Sequence, residues 1–316
     1  MLGFLLKRFA ELVVVVFGVS VLSFAMIRLI PGDAVQIMLG ANADVTPGQI
    51  AALREQLGLD QPAPRQYFVW LRHAAHGDLG FSIWTGRPVL EEILPRVSVT
   101  LELTVLSLIA ASVLAVPLGC LMATTRRRWA DHALRVLSIA GITTPSFWLA
   151  TMLLYGVSAL APQARVLGWV PLSEDPVDNL RRAALPVLAL GLPVLASLAR
   201  VVRAAMADVM RQDYIRTARA KGLPWRNVVL THALRNALLP VLTSFGILAG
   251  YLLGGSVVIE QVFALPGLGR LIVGAIAERN YPLVQASILL ATLAFVLVNA
   301  VIDVLYAVAD PRVRRG

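Results

Sequence analysis

Apolar residues along the chain gather into six long blocks, at 9–30, 97–122, 134–160, 183–202, 238–259 and 284–309, and polar residues are largely confined to the segments between them. Each block reaches the ~20 residues that a helix needs to cross the hydrocarbon of a bilayer. A β-barrel would alternate lipid-facing and lumen-facing positions, whereas Leu12-Val-Val-Val-Val16 is apolar throughout. The pattern therefore predicts an all-α membrane protein with six transmembrane helices. The first block is longer than the apolar region of a cleaved signal peptide, and Arg28-Leu-Ile-Pro-Gly offers no small-x-small cleavage site, so it reads as a retained first span.

Composition supports this: 58% of the 316 residues are apolar and 15% charged, against about 25% charged in soluble domains. A soluble enzyme and a disordered chain are both excluded. The one cysteine, Cys120, lies inside the second block, so no intrachain disulfide supports the fold. A net charge of +9 could suggest a nucleic-acid partner, but the charges are sorted by side. With the N-terminus inside, 17 of the 28 Lys and Arg fall on the cytoplasmic segments, and 12 of the 19 acidic residues fall on the outer ones. This is the positive-inside signature of a multi-pass protein with both termini in the cytoplasm.

Two connecting segments are long. In the outer one, Thr46-Pro47-Gly48-Gln49 reads as a helix start with Thr as N-cap, and Gly58 as that helix's end. An amphipathic stretch over 65–76 follows, ahead of Gly77-Asp-Leu-Gly80, so a helical cap outside the membrane is expected. The domain reading is 1–96 for the first span and cap, 97–310 for a five-helix core, and 311–316 for a cytoplasmic tail. In the long inner segment, 203–237, a first helix through Gln212 to Lys221 stops at Gly222, which tolerates a left-handed C-cap, and Pro224 opens a second. Two short helices would make a rigid elbow, with Thr217, Ala218 and Ala220 small enough for a partner to approach.

Arg216-Thr-Ala, followed by Gly222 and by His232-Ala-Leu-Arg-Asn-Ala-Leu-Leu-Pro240, resembles the EAA loop of the permease subunits of bacterial ABC importers. Leu253-Gly-Gly-Ser-Val-Val-Ile-Glu260, Phe263-Ala-Leu-Pro-Gly-Leu-Gly-Arg270, Tyr281-Pro282 and Asp303-Val-Leu-Tyr306 with Asp310-Pro-Arg312 are similar to the B-type subunit of dipeptide and oligopeptide permeases. Pro31-Gly-Asp33, Leu57-Gly-Leu-Asp-Gln-Pro62, Gly77-Asp-Leu-Gly-Phe-Ser82 and Thr144-Pro145-Ser146 fit the same family. The resemblance implies a type I importer fold whose elbow docks on a separate ATPase through Tyr214, Arg216, Thr217, Ala218, Lys221, Gly222, Leu223 and Pro224. Arg216 and Thr217 replace the Glu and first Ala of the broad consensus, as in the peptide branch.

The resemblance also implies partners: a second, homologous permease in a heterodimer, one or two ATPase subunits that bind ATP and Mg, and an extracytoplasmic substrate-binding protein. No cofactor is expected in this chain. It has no Gly-x-x-x-x-Gly-Lys-Ser/Thr phosphate loop, so hydrolysis falls to the partner. The family reading places the chain in the bacterial cytoplasmic (inner) membrane with dipeptides or short oligopeptides as cargo, and nickel, glutathione or opines as alternatives. A stand-alone channel or secondary transporter is the alternative from another class, but it would need an intramembrane ion or proton relay.

Charges at membrane depth are candidates for gate or pathway roles: Glu102 near the outer end of the second block, Glu260 at the outer end of the fifth, and Asp303 in the sixth. Arg28 can snorkel outward and reads as structural. The resemblance places an outer gate helix over 265–279. Gly246, Gly250 and Gly254 line one helical face as a packing seam suited to a second permease subunit. Pro145, Pro186 and Pro193 are expected to bend their helices. His73 and His76 lie at i and i+3 without a third ligand, a weak basis for a metal site.

Overall fold

The structure is a computed structural model that describes residues 2–29, 48, 60–125, 128–164 and 166–309. Among them the regular structure is helical, apart from one isolated bridge between Phe81 and Pro88. The helices are α1 (Leu2–Leu29), α2 (Ala63–Ala75), α3 (Val89–Thr124), α4 (Arg128–Thr143), α5 (Ser146–Leu160), α6 (Pro176–Val209), α7 (Asp213–Ala220), α8 (Leu234–Val262), α9 (Leu268–Ala277) and α10 (Tyr281–Ala309). Five of these are long and apolar enough to cross a membrane, and the α4–α5 pair would make a sixth span. That pair falls within the third span expected over 134–160, and its break lies at Pro145, one of the prolines expected to bend a helix. The chain bends by 100° between α4 and α5, at Thr144-Pro145. Pro145 is held at extended backbone angles ahead of α5 and has no N–H with which to continue α4. Pro186 and Pro193, by contrast, sit buried inside an unbroken α6. The expected helix start at Thr46-Pro47-Gly48-Gln49, its end at Gly58, the Pro31-Gly-Asp33 motif and the 311–316 tail fall outside the described residues, apart from Gly48.

The chain divides into two compact units, Val99–Arg270 with Phe295–Gly316, and Met1–Ser98 with Leu271–Ala294. The division differs from the 96/97 boundary expected from sequence, most clearly in grouping 271–294 with the N-terminal segment. Asn280 explains the grouping. Its Nδ2 donates to Ser82 Oγ at 2.8 Å and its Oδ1 accepts the Ile83 N–H at 3.3 Å, while the Trp84 indole donates to the Glu278 carbonyl at 2.8 Å.

Within the larger unit, α6 is the central element and packs against α8, α4 and α5. Of its most apolar stretch 61% is buried, against 6% for α10. Asp175 starts α6 as N-cap, accepting the Val177 and Asp178 N–H groups at 3.0 Å, with Pro176 in the first turn. Glycines let neighbours approach closely. A Cβ at Gly119 of α3 would stand 2.5 Å from Val202 Cβ and 2.7 Å from the Ala199 carbonyl, and one at Gly141 of α4 would stand 2.9 Å from Ala196 Cβ.

In the smaller unit, α2 lies along the C-terminal half of α1, so part of the segment expected to form a helical cap packs on the first span. Tyr67 OH and Ser20 Oγ are hydrogen-bonded at 2.8 Å, and the Phe24 and Tyr67 rings meet edge to face with centroids 5.2 Å apart. Arg28 bonds Gln66 and lies 3.5 Å over the Phe24 ring, the structural role expected of it. His73 Nδ1 is 2.9 Å from Asp78 Oδ2. That bond and the Gly80 N–H hold the Asp78 carboxyl below its usual range.

The Gly119 contact yields a direct test. Gly119→Ala should destabilise the protein by about 1–3 kcal/mol, the usual cost of overpacking. The readout is a lower apparent Tm in detergent. Gly156→Ala in α5, where a Cβ meets nothing within 4 Å, should leave Tm unchanged or raise it.

Candidate functional site

The elbow follows directly from the end of α6. Met210 closes that helix, the chain turns through Arg211 and Gln212, and α7 begins at Asp213. At its far end the Gly222 N–H bonds the Arg219 carbonyl at 2.9 Å and the Leu223 N–H bonds the Ala218 carbonyl at 3.4 Å. These two bonds are the Schellman closure, which requires a left-handed residue at the first position past the cap. Gly222 supplies it with φ +75°. Pro224 then stands just before a short helical piece, Trp225–Asn227. The second half of the elbow is not a separate short helix as expected. It runs through a π-helical turn, Val228–Ala233, straight into α8.

One face of this elbow is fixed to the membrane core. Ile215, Ala218, Val228, Val229 and Ala233 are buried in one apolar cluster with Val202 and Met206 of α6 and Cys120 and Met122 of α3. Ala218 therefore corrects the sequence reading, because it anchors the elbow to its own chain and presents no surface to a partner. Asn236 Nδ2 donates to Tyr214 OH at 3.0 Å, tying α7 to α8. The other seven residues singled out from sequence, Tyr214, Arg216, Thr217, Lys221, Gly222, Leu223 and Pro224, are exposed. With them stands Trp225, which sequence reasoning passed over; the Arg219 guanidinium lies 4.6 Å over its ring. Exposed Tyr214, Leu223 and Trp225, surrounded by cations, make an amphipathic outward face.

At the opposite end of α8 lies a second constructed feature. Glu260 is fully buried; one carboxylate oxygen accepts Thr100 Oγ1–H at 2.6 Å and the other the Arg270 N–H at 2.9 Å. Thr100 Oγ1 in turn accepts the Leu268 N–H at 2.8 Å. A Cβ at Gly267 would fall on the carboxylate itself. Glu260 and Thr100 thus cap the N-terminus of α9, the short helix expected over 265–279 and found at Leu268–Ala277. Glu260, singled out from sequence as a gate or pathway candidate, is thereby placed at the start of the helix expected over 265–279.

Glu102 is half-buried in α3 with Oε1 enclosed and unbonded, and Asp303 is half-buried on α10 and engaged with a neighbour. Two of the three α8 glycines pack against another helix as expected, but that helix belongs to the same chain and not to a second subunit. A Cβ at Gly246 would stand 2.8 Å from Asn299 Oδ1, and one at Gly250 would stand 2.8 Å from the Phe295 ring, so both face α10 of the same chain. At Gly254 a Cβ meets nothing within 4 Å.

The spans, the elbow and the capped α9 describe a multi-pass helical chain, and comparison with known proteins gives its family. Residues 115–315 match the family described as binding-protein-dependent transport system inner membrane component, and residues 1–104 match its N-terminal companion. The chain belongs to this family, the type I permease subunits of ABC importers. It is 43% identical over 314 residues, 99% of each chain, to the glutathione transport system permease protein GsiC of Escherichia coli O6:H1 (strain CFT073). It is 42% identical, with the same coverage, to the proteins of that name from Escherichia coli K12 and Shigella dysenteriae serotype 1.

Two expectations follow from the geometry. Gly222→Ala forces a Cβ into the left-handed region, at a cost of about 1–2 kcal/mol. Amide hydrogen exchange over 221–228 should accelerate while α6 keeps its protection. Glu260→Gln removes one of two acceptors from a buried site, costing about 1–3 kcal/mol. The Arg270 amide should then lose protection ahead of the rest of α9; unaltered protection would contradict the capping role.

Proposed function

We propose that this chain forms half of the translocation path of an importer for glutathione or a comparably short peptide. Full-length similarity to proteins named glutathione permeases carries the choice of cargo. The sequence motifs of the peptide branch support the wider class, and glutathione, itself a tripeptide, lies within it. A homologous second permease supplies the other half of the path, and a binding protein delivers cargo on the outer side.

In this reading the elbow faces the cytoplasm, in keeping with the excess of Arg and Lys there. Its exposed face docks on an ATPase subunit, which binds ATP and Mg. Closure of the ATPase pair moves the two elbows as rigid bodies, because α7 is bonded and packed onto α6 and α8. ATP shifts the equilibrium toward the outward-open state through its differential binding to the partner, and hydrolysis resets it.

The test is uptake of labelled glutathione and dialanine by the complete importer in proteoliposomes loaded with ATP. Trp225→Ala should lower uptake about tenfold, the loss of one interface anchor of roughly 1.4 kcal/mol. Basal hydrolysis by the ATPase should persist. Peptide uptake by this chain alone, without ATPase, would overturn the reading in favour of a channel or secondary transporter.

A further inference from the structure

The π-helical turn of the elbow, Val228–Ala233, closes with the Leu234 N–H on the Val229 carbonyl, one residue wider than an α turn. Counting shows what that residue does. Ala233, Ala237 and Val241 are buried at four-residue intervals and mark the inward stripe of α8. Carried back at α-helical pitch, about 100° per residue, the stripe reaches Leu230 and Arg226, each about 20° from Ala237, and leaves Val228 on the opposite side. The structure has the reverse: Val228 and Val229 are buried, and Leu230 and Arg226 are exposed. Treating the π turn as an α turn with one residue to spare restores agreement, because Val229 then falls about 20° from Ala237.

Two further contacts pin this register. At the start of the turn, Val228 and Val229 share one apolar cluster with Ile215 and Ala218 of α7. Beyond its end, Asn236 Nδ2 donates to Tyr214 OH, also of α7, at 3.0 Å. One helix is therefore engaged from both sides of the turn, and a slip of one residue between the two contacts could satisfy only one of them. Such a slip would also carry the Arg226 guanidinium onto the inward stripe, where an unpaired charge is costly. The extra residue reconciles two phases that an uninterrupted α-helix could not hold together.

We propose that the π turn is a one-residue register insertion that keeps Arg226 and Leu230 on the outward face of the elbow while Val228 and Val229 enter the core. The proposal rests on the reading of that face as the ATPase contact, and deepens it: the phase of the turn decides which side chains the partner meets. Because the extra residue is spare to the packing, removing one exposed residue from the turn leaves an α-helix in the same phase. Removing one from the regular part of α8 does not, since it turns the residues before the cut by about 100° against those after it.

The test uses the full chain with Cys120→Ala, which removes its one cysteine, reconstituted with the second permease and then with the ATPase. Before the ATPase is added, single cysteines are labelled with N-ethylmaleimide. Arg226→Cys and Leu230→Cys should react at least about tenfold faster than Val228→Cys, since a buried thiol reacts only through local opening. Deletion of Thr231, an exposed residue of the turn, should preserve that order. It should also keep glutathione uptake within about twofold, the scale of a surface change that breaks no packing. Deletion of Thr243, also exposed but in the α-helical part of α8, should abolish uptake. A reversed labelling order in the undeleted chain, loss of the order or of uptake on deletion of Thr231, or equal tolerance of both deletions would each overturn the register assignment. Absent uptake by the undeleted importer would overturn the transport reading alone, because the labelling order is read without the ATPase.

Discussion

Everything else in the larger unit depends on how closely its helices approach α6. Lipid is as apolar as leucine, so no hydrophobic force drives one span against another, and association relies on contact between backbones. Four glycines provide it from several directions. Gly119 of α3 lies against Ala199 and Val202, Gly141 of α4 against Ala196, Gly191 of α6 against the Ser107 carbonyl, and Gly255 of α8 against Leu190. Pro186 and Pro193 survive inside α6 for a related reason. Both are buried, so the gaps they leave in the helix ladder are enclosed by protein and not by hydrocarbon.

Helices held in this way make α6 a stiff strut, and the elbow is built onto its end. Ile215 and Ala218 of α7 sit in the same apolar cluster as Met206 and Val202, and the returning chain joins through Val228, Val229 and Ala233. A force on the exposed face of the elbow therefore reaches α6 and α8 together. The one irregularity is the π-helical turn on the return path, a feature that often accompanies functional sites in helices. It buries Val228, Val229 and Ala233 while leaving Trp225 outside.

Much of this was legible in the sequence because membrane helices announce themselves by length. The break at Thr144-Pro145 was visible as a proline, yet the apolar run continued across it, and hydropathy does not register a change in direction. Gly222 was readable because a glycine after a helical run has few other uses. The assignment of Ala218 to a partner surface failed because small residues serve both purposes, close approach by a partner and burial in one's own core. Periodicity of α7 could have separated them, since Ile215 lies three residues before Ala218 on the same face. The α8 stripe marked a seam, but a four-residue glycine spacing does not specify which helix fills it. The contacts around α6 left no such signal, because Gly119, Gly141, Gly191 and Gly255 come from four different helices.

The two ends of α8 resolve the same geometric problem in opposite ways. At the elbow, the left-handed residue that closes α7 is a glycine, so the turn forms without strain. At its C-terminal end, α8 closes through Ala264 at φ +55°, and α9 closes through Arg279 at φ +54°. Each non-glycine residue in that region costs about 1–2 kcal/mol. The bonds of Glu260 and Thr100 to the start of α9 offset part of that cost only while the helix stays in place. The elbow thus closes on a glycine without strain, whereas the turns after α8 and α9 each carry a strained non-glycine residue whose cost is offset only in part by the bonds of Glu260 and Thr100.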